Sequence, residues 1–150
     1  MLANSLVYNT LNDPFENITD SIRVKAMHGT KFNTYISELN VSLNSHPIYV
    51  TDKFIPDYLR ESFTRIRLMS HNLKIETGRW SRIPREGRIC RCNSENVQTE
   101  THVLIDCNLT QTIRIRYPML NFQDTSSLFG EATHILLLCK YVHEIFSFYT

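Results

Sequence analysis

Apolar residues recur at helical spacing in three stretches of this chain, and polar positions fill the intervals between them. In the first stretch, 19–43, Ile22, Ala26, Phe32, Ile36, Leu39 and Leu43 predict helices interrupted near Gly29. The clearest stretch starts at Pro56, which suits a first helical turn because its missing N–H is harmless there. Leu59, Phe63, Ile66, Ser70 and Leu73 then share one face, while Arg60, Thr64, Arg67 and His71 form a second stripe roughly 100° away. The pattern predicts one helix that packs on a core, presents cations on its other side and ends at Gly78. The third stretch, 131–149, places Ile135, Leu138, Val142, Ile145 and Tyr149 on a face that Leu136, Leu137 and Phe146 widen towards burial. Cys139 and His143 lie four apart in it and read as a core cysteine and a partly buried histidine.

The intervals have their own character. Residues 1–16 show no period, Asp13-Pro14 marks a break, and Ser45-His46-Pro47 ends the first helical region. Residues 78–89 contain Pro84 and two glycines, which oppose a helix and predict an extended loop. Residues 103–116 predict a short helix, a turn and a second helix, closed by Tyr117-Pro118. The expected architecture is one compact, mainly α domain in three parts. These are an N-terminal helical segment (1–55), a basic helix with its loop and a cysteine-rich knuckle (56–117), and a C-terminal packing helix (118–150). A length of 150 residues suits one such domain better than two.

Composition narrows the setting. The first residues lack the basic and apolar regions of a signal peptide, and the longest apolar run is far below the roughly 18 residues of a membrane span. The expectation is an intracellular protein of the nucleus or cytoplasm, without a membrane partner. The Asn-x-Ser/Thr triplets at Asn17, Asn40 and Asn108 then read as unglycosylated, and His46, His71 and His134 as surface or capping residues.

Three of the four cysteines cluster with a histidine as Cys90-x-Cys92-x9-His102-x4-Cys107. In a reducing compartment such a cluster points to metal rather than disulfides. Zinc takes four sulfur or nitrogen donors in a tetrahedron, and alternate residues of an extended chain project to the same side. Cys90 and Cys92 can therefore converge while Arg91 points away. His102 and Cys107, five apart, would sit about 140° apart around an α-helix. The spacing predicts a short helix from about Thr99 that unwinds before Cys107, with Glu100 and Asp106 available to support the ligands. Four protein ligands make a closed, structural site for one Zn2+, with no bound water to activate. The competing reading is three small buried hydrophobes and a surface histidine, which the polar neighbourhood of Cys90 and Cys92 opposes.

Charge adds a second candidate site. Residues 60–91 carry nine Lys/Arg against three acids, a local +6 inside a chain whose net charge is +1. Arg79, Arg82, Arg85, Arg88 and Arg91 recur at every third position. In a polyproline-like strand this spacing aligns five guanidinium groups about 9 Å apart. With Trp80 and Tyr58 as stacking surfaces, and Arg60 and Arg67 on the preceding helix, the row predicts a grip on single-stranded RNA or DNA. The alternative is a solvated loop whose arginines pair with Glu76, Glu86 and their neighbours.

The runs RLMSHNLKIETGRW (67–80), PREGRICRC (84–92) and ETHVLIDC (100–107) resemble the C-terminal region of non-LTR (LINE-type) retrotransposon reverse transcriptases. The resemblance is strongest over 59–116. It implies Cys90, Cys92, His102 and Cys107 as zinc ligands, the Arg/Trp segment near RNA or target DNA, and an adjoining reverse transcriptase domain as a partner. The Tyr-x-Asp-Asp polymerase signature and acids suited to two-metal catalysis are missing from this chain, so polymerase and endonuclease activity are not carried over. The expected function is a zinc-dependent nucleic-acid-binding module that is not an enzyme and takes no small-molecule substrate. The alternative is a helical protein-interaction or remnant domain with a purely structural zinc site.

Overall fold

The computed structural model describes residues 52–92, 95–130 and 134–150, together with Val24 and His28, both helical. The expectations over 1–16, over the rest of 19–43 and over 45–47 lie outside these residues. The described chain is mainly helical: α1 (Asp57–Arg67), α2 (Lys74–Trp80), α3 (Gln111–Arg114), α4 (Thr125–Gly130) and α5 (Ile135–Tyr149). Short 3-10 turns at Arg85–Gly87 and Asn108–Thr110 and a π turn at His102–Asp106 connect them.

Pro56 stands just outside α1 as its N-cap, where its carbonyl accepts from the Leu59 and Arg60 amides at 3.1 and 3.0 Å. Asp57 in the first turn and Arg65 and Arg67 in the last complement the helix dipole. The predicted single helix to Gly78 is in fact two. Met69 adopts a left-handed φ of 50°, and the chain reverses through two bonds: Met69 N–H to the Ile66 carbonyl (3.2 Å) and Ser70 N–H to the Arg65 carbonyl (2.9 Å). This is a Schellman ending with methionine where glycine is usual. Met69 is 3 % exposed, so burial of its side chain offsets the backbone strain. Nothing in the local pattern signals such an ending.

Helix α2 ends the same way at Arg82 (φ 57°), whose N–H reaches the Arg79 carbonyl at 3.2 Å while Ile83 N–H reaches that of Gly78 at 2.8 Å. Gly78 is therefore interior to α2 and does not terminate it. A Cβ there would lie 2.7 Å from Arg88 Cγ and 2.8 Å from Cδ, so glycine is needed for Arg88 to cross the helix.

The core lies between α1 and α5. Leu59, Phe63 and Ile66 of α1 pack with Leu138, Val142 and Ile145 of α5, as the helical spacing predicts. Ser70, placed on the same face by the spacing, is exposed beyond the break. Phe129 of α4 stacks on Phe63 at 5.6 Å, and Tyr117 and Phe122 meet Tyr141 edge-on at 5.4 and 5.1 Å. Tyr141 donates to the Leu104 carbonyl, tying the π turn to α5. Cys139 is fully buried and His143 half-buried, its Nδ1 2.9 Å from Ser62 Oγ. Leu136, expected to widen the buried face, is 37 % exposed.

Candidate metal centre and basic loop

The candidate Cys/His cluster grows from a small hairpin and the π turn. Ile89 bridges Val97 in antiparallel fashion, with Cys90 N–H on the Asn96 carbonyl and Gln98 N–H on that of Arg88, both 2.8 Å. This brings Cys90 and Cys92 to one side. The π turn supplies the other two donors. Cys107 N–H bonds the His102 carbonyl at 2.7 Å, an i→i+5 closure that brings residues five apart back to one side of the chain. The 140° offset of an α-helix is thus removed by widening the turn, where unwinding was expected. Thr99 Oγ1 accepts the His102 amide at 3.1 Å, and Cys107 then leaves in an extended conformation.

Cys90, Cys92, His102 and Cys107 are all buried, and their donor atoms lie within 4.8 Å of one another. The Sγ atoms of Cys90 and Cys107 are 3.9 Å apart, against about 3.8 Å for two sulfurs on a tetrahedral ion with bonds of about 2.3 Å. Cys92 Sγ and His102 Nε2 are 3.3 Å apart. Three sulfurs and one imidazole at these separations fit a single tetrahedral metal site. All four cysteines are free thiols, and burial pushes the Cys107 thiol up, partly opposed by its bond from Tyr149. A cation at the cluster would reverse that, since a coordinating thiol is deprotonated.

Several residues that the sequence did not flag connect the cluster to the helices. Gln98, 4 % exposed, donates through Nε2 towards Cys90 Sγ (3.8 Å) and accepts the Lys74 amide on Oε1 (2.7 Å). Lys74 Nζ also donates to the Ile89 carbonyl at 2.7 Å, so the start of α2 is fixed to the knuckle. On the opposite side the Tyr149 hydroxyl lies 3.1 Å from Cys107 Sγ and 3.5 Å from Cys90 Sγ. A buried glutamine in a polar segment has no sequence signal, and Tyr149 reads from its spacing as one more apolar face residue.

The acids expected to support the ligands do not do so. Asp106 is exposed, and Glu100 bonds His71, its Oε1 2.9 Å from His71 Nε2. Burial by itself would raise the Glu100 carboxyl, but the His71 hydrogen bond and charge outweigh it and hold the group below its ordinary value. His71 is not a surface residue: its side chain is wholly buried beside Phe146, ring centroids 5.6 Å apart. His134 stands at the N-cap position of α5 without a side-chain cap bond.

The arginines divide into two groups, and the extended row is not formed. Arg79 is helical, Arg82 left-handed, and Arg85 opens a 3-10 turn. Arg88 turns inward: Nε and Nη2 donate to the Ile83 carbonyl (2.9 and 2.7 Å) and Nη1 to that of Ile75 (2.8 Å). Arg79 pairs at 2.9 Å with Glu76, whose side chain is 1 % exposed. Arg91 lies 4.6 Å over Phe148 and 4.9 Å over Tyr149 and donates to the Phe148 carbonyl. Arg60 donates to the Asp52 and Ile55 carbonyls at 3.0 and 2.9 Å, and half-buried Arg67 lies 5.8 Å over Phe63. The face expected to present cations is thus largely folded in. Arg82 and Arg85 differ: both are exposed, with no ion pair or side-chain hydrogen bond among the described residues. Between and beside them stand Trp80, 61 % exposed, and Ile83, 42 % exposed.

The chain matches no protein-family model, no curated protein and no solved structure. Among the described residues, no helix is long and apolar enough to cross a membrane.

Proposed function

We propose that the chain is a non-enzymatic nucleic-acid-binding module in which one structural Zn2+ at Cys90, Cys92, His102 and Cys107 fixes a short basic loop for contact with single-stranded RNA or DNA. The observation that carries this reading is the state of residues 80–85. Arg82 holds a left-handed backbone that glycine would adopt without strain, yet among the described residues its exposed side chain makes no ion pair or hydrogen bond. It is exposed, as are Trp80 two residues before it and Arg85 three residues after it. An exposed cation and an exposed indole two residues apart at a helix end match what a strand offers: phosphate to neutralise and a base to stack. The grip is narrower than the sequence predicts, resting on Trp80, Arg82 and Arg85, while Arg60, Arg67, Arg79, Arg88 and Arg91 serve the scaffold. The resemblance to reverse transcriptases of non-LTR retrotransposons makes the template or target strand of an adjoining polymerase domain, in nucleus or cytoplasm, the natural occupant.

The test is a salt titration of binding to a short labelled single-stranded oligonucleotide. Arg82→Gly preserves the left-handed turn, so it separates binding from folding. Together with Arg85→Ala it should flatten the salt dependence by roughly 0.7 log units for each phosphate no longer neutralised. Trp80→Ala should weaken binding by about 1–3 kcal/mol with the slope intact. Wild-type binding indifferent to salt would instead favour the protein-interaction reading, for which exposed Ile115 and Met119 (69 and 61 %) offer an apolar surface.

A further inference from the structure

The last turn of α5 lies against the metal cluster in a way that helix packing does not require. We infer that Tyr149 is an outer-sphere partner of the metal: its hydroxyl donates a hydrogen bond shared between the Cys107 and Cys90 sulfurs, so that metal loading and docking of the end of α5 form one coupled equilibrium. This rests on the metal-site reading above.

Three thiolates and a neutral imidazole around a divalent cation leave one net negative charge, spread over the sulfurs. A buried charge needs donors directed at it. Cys90 and Cys107 are 3 and 0 % exposed, so water reaches them poorly. Tyr149 supplies a donor at 3.1 and 3.5 Å from the two sulfurs, Gln98 a longer one at 3.8 Å to Cys90, and the Leu109 backbone amide a further one to Cys107. A phenol keeps its proton at neutral pH while a thiolate has none to give, so between the two the hydroxyl is the donor.

The clasp has an outer half. Arg91, the residue between two ligands, lies over the rings of Phe148 and Tyr149 and donates to the Phe148 carbonyl. The end of α5 is thus held by the knuckle from two sides. Without metal the cysteines are thiols, which accept hydrogen bonds weakly, so the inner half of the clasp loosens.

Co2+ serves as the probe, because its thiolate charge-transfer band reports on sulfur electron density. Wild type should bind one equivalent with a tetrahedral spectrum, and Cys107→Ser should lose it. Tyr149→Phe keeps the ring and the stoichiometry, but should bind roughly tenfold more weakly, within the 10–100-fold range of outer-sphere losses. Its charge-transfer band should move to lower energy as the sulfurs lose their donor. In wild type, metal should slow amide exchange over residues 146–150, a measurement that stands even if Tyr149→Phe folds poorly. Unchanged affinity and band energy in a folded Tyr149→Phe, or exchange over 146–150 indifferent to metal, would overturn the role given to Tyr149 while leaving the site intact. Failure of wild type to take up cobalt, or full binding by Cys107→Ser, would instead remove the metal reading and this inference with it.

Discussion

Helices α1 and α5 bury Leu59, Phe63 and Ile66 against Leu138, Val142 and Ile145. Residues 88–107 reach order by another route, apart from Val103 and Leu104, which join that apolar core. Their buried side chains include Cys90, Cys92, Gln98, Glu100 and His102, and their backbone makes one isolated bridge and one π turn. The first region is held by apolar area removed from water, which is non-directional and tolerates shape changes. The second is held by donors aimed at particular atoms, where a missing partner strands a buried polar group. The difference teaches where each kind of damage stays. Loss in the helix pair spreads to the whole domain, whereas loss at the cluster should remain near residues 88–110 and the ends of α2 and α5 that it clasps.

The comparison breaks first at Phe63. Phe63→Ala removes a ring that stacks on Phe129 at the centre of the helix pair, and should lower unfolding free energy by about 3–5 kcal/mol. Urea denaturation followed by circular dichroism measures it. A loss under about 1 kcal/mol would mean that the core lies elsewhere.

Chelation is the matching experiment on the other region. Removing metal should abolish order over 88–110 and expose Cys90, Cys92 and Cys107 to a thiol reagent, while most helical ellipticity remains. Cys139 is the internal control. Burial raises its thiol to about 12, so near pH 8 the reactive thiolate is a fraction on the order of 10⁻⁴. Three fast thiols and one that reacts only on global unfolding are expected; four fast thiols would show that the metal holds the entire domain.

A smaller effect should come from Gly78→Ala. The added methyl meets the Arg88 stem at 2.7 Å, and Arg88 cannot easily yield because three hydrogen bonds to Ile75 and Ile83 carbonyls anchor its guanidinium. Overpacking of this kind costs about 1–3 kcal/mol, although alanine's better helix propensity returns up to about 1. Thermal denaturation of Gly78→Ala beside Arg88→Ala measures it. A Gly78→Ala variant as stable as wild type would show that Arg88 has another route.

Legibility in the sequence follows the same division. The buried faces of α1 and α5 follow from apolar spacing, because that period is what burial selects. The four candidate ligands are readable because residue type and spacing limit how donors can converge. Met69 and Arg82 are not readable: each ends a helix in a conformation for which glycine is the usual signal. The arginine period misled for a related reason. A spacing of three aligns side chains only if the backbone stays extended, and here it passes through a helix end and a 3-10 turn. Arg88 and Arg91 found carbonyl oxygens and rings in the fold, which a count of nearby acids does not reveal. Gln98 and Tyr149 carry no local signature, since their partners are 8 and 42 or more positions away.

The wide turn at His102–Asp106 has a consequence for which changes in chain length this region can survive. An i→i+5 turn is an α turn with one residue added. Deleting a single residue from 103–106 would leave the histidine and cysteine four apart, about 40° from alignment on an ordinary helix, so one face still presents both. Adding one residue has no such refuge, because six positions advance an α-helix by about 240° and carry the sulfur to the far side. Length variation among related chains should therefore be lopsided here, with spacings of three or four residues between His102 and Cys107 retained and longer ones excluded.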